Sequence, residues 1–145
     1  MNEKTRQCIE EKIERILREF RFSSRSKEHP EECPNYPRQK PCHDIPAGEL
    51  NCFFCVCPEY DNTREEGGCC ISNPEGKWFY HPSHPKGRIW DCSDCDHPHR
   101  EENVRKYLGA LFGLINCEFK AYGTGIVKIC ENDSDFQDFS GYIDP

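Results

Sequence analysis

Apolar residues recur at helical spacing near the N-terminus. Ile9, Ile13, Ile16, Leu17 and Phe20 fall on one stripe, with charged side chains on the remaining face. This pattern predicts an amphipathic helix over residues 2–22, with Asn2 as its N-cap. The stripe can pack on the rest of the chain, or dock a partner or a second copy. Residues 23–27 are polar and read as a linker. Pro30, Pro34, Pro37 and Pro41 then argue against any regular helix. Across residues 33–99 the helical period disappears, and turn-forming sequences occur at 65–68 and 73–76, so this stretch reads as loops with short strands. The helical period returns at Val104, Tyr107, Leu108, Leu111, Phe112 and Ile115, which predicts a second helix from about residue 98 or 100 to 114. Pro98 suits its first turn and Gly113 its end. Residues 117–130 read as a β-hairpin turning at Gly123 and Gly125, with Cys117 and Cys130 opposite each other.

The chain therefore divides into a helix and linker (1–28), a cysteine-rich segment (29–100), a helix plus hairpin (101–130) and an acidic tail (131–145). Only 35% of its 145 residues are hydrophobic, and the central segment is poor in Leu, Ile and Val. Such a segment cannot readily offset its conformational entropy by burial alone and needs staples. The 12 cysteines can supply them. The polar first residues contain no apolar leader core, which predicts a cytoplasmic protein whose thiols stay reduced and bind metal. No run approaches the length of a membrane span. The net charge of −7, with the cysteine segment itself acidic, disfavours nucleic acid as a partner. The expected fold is a small metal-stabilised α+β structure. It has an irregular cysteine-rich core with short strands, flanked by the N-terminal helix, the second helix and the C-terminal β-hairpin.

The ligand candidates occur in blocks. Cys52-Phe-Phe-Cys55-Val-Cys57-Pro58 contains a Cys-x-x-Cys pair and a third thiol, and Cys92-Ser-Asp-Cys95-Asp-His97-Pro-His99 contains a second pair. A Cys-x-x-Cys turn aims two thiolates at one metal, and two such pairs are a strong metal signal. Cys33, Cys42 and the vicinal Cys69 and Cys70 frame them, with His43 and His97 as further candidates. Eight thiol positions suffice for two four-thiolate sites, but spacing does not give their pairing. It admits zinc or an iron–sulfur cluster about equally. The remaining histidines, His29, His81, His84 and His99, read as surface groups or as supports around a site. Trp78, Phe79, Tyr80 and Trp90 read as cover for the metal sites. Cys8, Cys117 and Cys130 have no assigned role.

The block Asn51-Cys-Phe-Phe-Cys-Val-Cys-Pro-Glu-Tyr60, followed by Gly67-Gly68 and Asp91-Cys-Ser-Asp-Cys-Asp-His-Pro-His99, resembles the cysteine-rich small domain family, as does Pro41-Cys42-His43 upstream. That family occurs mainly in anaerobic bacteria and archaea and is described as metal-binding and zinc-finger-like. The resemblance implies Cys42, Cys52, Cys55, Cys57, Cys92 and Cys95 as cofactor ligands. It favours one or two [4Fe-4S] clusters used in electron transfer or redox sensing beside an anaerobic enzyme. The alternative is a structural zinc adaptor for protein–protein interaction. A third reading is an accessory subunit in corrinoid or related cofactor metabolism. Each implies a protein partner, such as a redox or cofactor-synthesis enzyme, and none needs the chain to be an enzyme by itself.

Overall fold

The computed structural model describes residues 1–114. The expected hairpin at 117–130 and the acidic tail lie outside the described residues. Helix α1 (Glu3–Glu19) begins at Asn2, whose side-chain oxygen accepts the Thr5 backbone N–H at 2.8 Å. This satisfies one of the donors left free at a helix start. Its stripe of Ile9, Ile13, Ile16 and Leu17 is buried against Val104, Tyr107, Leu108 and Leu111 of α4 (Glu101–Leu111), with Phe53 and Phe54 in the same cluster. Burying each such aliphatic side chain contributes about 1.5–3 kcal/mol. These four residues of the stripe are thus internal.

Helix α1 stops short of residue 22 because the chain turns at Phe20 and Arg21 forms an antiparallel bridge with Asn51. The expected linker at 23–27 is instead helical, as α2 (Phe22–Glu28). Phe22 and Ser26, one turn apart, face inward, and Phe22 joins Tyr36, Ile45 and Leu50 in a second core cluster. With no Gly or Pro before Pro30, that anchor outweighs the polar composition. The proline-rich stretch also holds one helical turn, α3 (Asn35–Arg38). Pro37 fits there because the first four N–H groups of a helix have no internal partner.

A 3-10 turn (His97–His99) leads into α4. Helix α4 ends as expected at Gly113, which adopts φ 82°. The Leu114 N–H donates to Gly109 O at 2.7 Å and the Gly113 N–H to Ala110 O at 3.2 Å, a Schellman closure. The two strands β1 (Lys77–Tyr80) and β2 (Arg88–Asp91) form an antiparallel hairpin, with Trp78 opposite Trp90. The two indoles meet edge to face at 5.1 Å, and the Arg88 guanidinium lies 3.6 Å over Trp78. Over the described residues the fold is a small α+β structure with helices at its N-terminal end, a β-hairpin and a cysteine/histidine cluster.

Candidate metal centre

Three short extended pieces meet where the helices end. The Cys52 N–H donates to Phe20 O at 2.8 Å, the Phe22 N–H to Leu50 O at 2.8 Å, and the Asn51 N–H to His99 O at 2.9 Å. Asn51 is the middle of this junction and is wholly buried. Its side chain donates to Leu17 O at 2.9 Å and accepts the Phe53 N–H at 3.0 Å. Arg21 reaches across to Glu101 in a two-pronged ion pair, at 2.7 and 3.0 Å. The Cys52-to-Cys57 block therefore leaves the helical body beside the point where His99 re-enters it.

At that junction the ligand atoms of Cys42, His43 and His99 all lie within 4.8 Å of one another. His43 Nε2 lies 2.8 Å from Ser93 O and so must carry the proton, which leaves Nδ1 as a lone pair 3.0 Å from Cys42 Sγ. His99 is buried, and its Nδ1 donates to Asn51 O at 3.0 Å, which leaves Nε2 bare. The two rings lie 4.6 Å apart. Each imidazole is thus held by one nitrogen on a backbone carbonyl with the other free to bind, the arrangement that fixes the tautomer of a ligating histidine. Burial pushes the His99 pKa down, keeping its ring neutral, as a ligand must be. Sequence alone reads His99 as a surface or supporting group, and its place beside the second Cys-x-x-Cys pair is the available signal for more.

Cys33, Cys52 and Cys55 adjoin this group. The Cys55 thiol donates to the Cys52 carbonyl at 3.2 Å. Cys52 is held low by the neighbouring Cys55 thiol, and further by the Tyr36 hydroxyl. Cys55 is correspondingly pushed far up, first by its pairing with Cys52, then by burial and the charges of Cys52, Cys42 and Cys33. Cys42 is raised by burial and by the charges of Cys52 and Cys33.

The second block of thiols gathers next to this group, with Cys57, Cys92 and Cys95 sharing a cleft with Cys55, His43 and His99. Cys57, Cys69, Cys92 and Cys95 line one cavity of about 20 Å³, walled by Tyr60 and Trp90. Cys57 is pushed up to about 12, by burial first and then by the charges of Cys92, Cys95 and Cys69. Burial likewise raises Cys92 and Cys95. Cys70, beside Cys69, is exposed and does not line this cavity. Gly67 and Gly76 permit the walls to close: a Cβ on Gly67 would lie 2.1 Å from Tyr60 Oη, and one on Gly76 2.2 Å from the Trp90 ring.

His97 takes neither place. Its Nε2–H donates to the Tyr107 hydroxyl at 2.7 Å, which donates on to Glu59 at 3.1 Å, and its Nδ1 faces the Asn103 amide at 3.2 Å. Both ring nitrogens are engaged within the protein. One other grouping, His29 with Glu31 and Glu32, is at the surface, and Glu32 is already paired with Arg25 at 2.7 Å.

The chain is a small cysteine-rich domain with candidate metal ligands. Among the described residues no helix is long and apolar enough to cross a membrane. Compared with known proteins, the chain matches no family model, no curated protein and no solved structure.

Proposed function

We propose that this protein is a zinc-stapled adaptor, in which a metal held at Cys42, His43 and His99 fixes the cysteine-rich segment to the helical body and the outer surface binds a protein partner. The observation that carries this reading is the convergence of one sulfur and two imidazoles within 4.8 Å of one another. A mixed sulfur and nitrogen donor set suits zinc, whereas iron–sulfur clusters are held chiefly by thiolates. Cys55 is the proposed fourth ligand: it lines the cleft of His43 and His99 together with Cys57, Cys92 and Cys95, and its thiol is the one raised by the charge of Cys42. The docking surface is proposed on the hairpin, where Phe79 and Tyr80 are 50% and 69% exposed. The acidic balance of the chain favours protein over nucleic acid as the partner.

The test is metal and acid-labile sulfide content of protein purified without oxygen, repeated on His43→Ala and His99→Ala. Zinc without sulfide is expected, with one equivalent lost in each variant. Iron with a matching amount of sulfide would replace this reading with the cluster reading. Zinc unchanged in both variants would remove the histidines from the site.

A further inference from the structure

We infer that Cys57, Cys69, Cys92 and Cys95 form a second metal site beside the first, a four-thiolate centre that takes one thiophilic divalent cation such as zinc. Three observations carry it. The four cysteines come from three distant parts of the chain, yet all line the same cavity of about 20 Å³; their sulfurs are not among the groups that already converge within 4.8 Å, so the ion would draw them together. Four thiolates around one divalent ion leave a net charge of −2, and such a charge needs donors. The backbone supplies them: the Glu59 N–H points at Cys57 Sγ at 3.4 Å and the Asn73 N–H at Cys69 Sγ at 3.3 Å. Besides burial, two neighbours act on the Cys95 thiol in opposite directions, the His97 backbone N–H lowering it and the Glu75 carboxylate raising it. One more donor, Trp90 Nε1–H, is buried in the wall without an acceptor.

The local chain is also shaped for this. The Cys95 N–H donates to Cys92 O at 3.0 Å, closing the turn that sets the pair side by side. Tyr60 and Cys69 are bridged, with the Asp61 N–H on Gly68 O at 2.8 Å and the Cys70 N–H on Glu59 O at 2.8 Å. That bridge holds Cys69 toward the cavity and gives its neighbour Cys70 no place in it. The site joins the hairpin to the loop after Cys55, and it shares no ligand with the Cys42, His43 and His99 group.

The experiment loads the full chain with cadmium-113 alone and records its NMR spectrum, in parallel with zinc counts on variants. One resonance in the four-thiolate region is expected, and it should persist in His99→Gln. Cys69→Ser and Cys95→Ser should each abolish that resonance and lower the zinc content from two equivalents to one, while Cys70→Ser should leave both unchanged. Absence of a four-thiolate resonance from the unaltered chain would overturn the inference without recourse to any variant. So would its persistence in both Cys69→Ser and Cys95→Ser. If the four-thiolate signal stands while His99→Gln has no effect on metal content, the mixed site fails and this one survives.

Discussion

Asn51 shows how much one side chain can organise. Its amide joins the end of α1 to the start of the cysteine block, and its backbone joins both to His99. Asn51→Ala would leave the Leu17 carbonyl and the Phe53 N–H without these partners. Each orphaned group costs about 1–3 kcal/mol, so urea denaturation should register a loss of roughly 2–4 kcal/mol. A loss below about 0.5 kcal/mol, typical of a surface position, would show that water replaces the amide. Gly76→Ala makes a different demand, since its Cβ would meet the Trp90 ring at 2.2 Å. The indole must move, and the near-ultraviolet circular dichroism of the Trp78 and Trp90 pair should weaken. An unchanged spectrum would mean that the backbone at residue 76 yields instead. Neither role was legible in the sequence. Asn51 stands as one polar residue beside a cysteine until the pieces on either side of it are known to be neighbours. His99 was passed over for the same reason, because its value as a ligand depends on Asn51 O and His43, both far away in the chain.

Among the elements, the helices could be read from the chain because their cause is local. The stripes on α1 and α4, the Asn2 cap and the Gly113 stop all follow from nearest-turn geometry. Helix α2 was missed because its polar sequence gives no periodic signal, and only Phe22 and Ser26 face the interior. The hairpin of β1 and β2 could be foreseen only as short strands, since its pairing is cross-chain. Two of the contacts joining α1 to α4 should differ sharply in worth. Leu17 is fully buried at their interface, so Leu17→Ala should cost about 2–5 kcal/mol in thermal or urea denaturation. The Glu14 and Arg105 ion pair at the same crossing is half exposed on both sides. Glu14→Gln should therefore cost no more than about 1 kcal/mol, and less in high salt. If the two substitutions cost the same, burial is not what holds these helices together.

At the scale of the whole molecule, two kinds of cohesion divide the described residues. The helical body closes on apolar clusters, whereas the segment between Cys55 and His97 has few buried aliphatic groups and gathers instead around its thiols. Chelation should therefore act on one part only. On the proposed reading, excess chelator should abolish the tryptophan near-ultraviolet signal and open the 55–97 segment to protease, while far-ultraviolet helicity changes little. Simultaneous loss of helicity would show that the helical body depends on metal too. The sequence announced the cysteines plainly but not their grouping, because each set draws on positions that only the finished fold brings together.

The bond from the Asn51 N–H to His99 O has a further consequence. It sets the exit and the return of the long cysteine excursion side by side, as the two ends of a hairpin turn would be. A segment whose ends meet can change length without moving its anchors. Phe53 and Phe54 at its root stay in the helical core, so the part beyond them is free to lengthen or shorten while the framework holds.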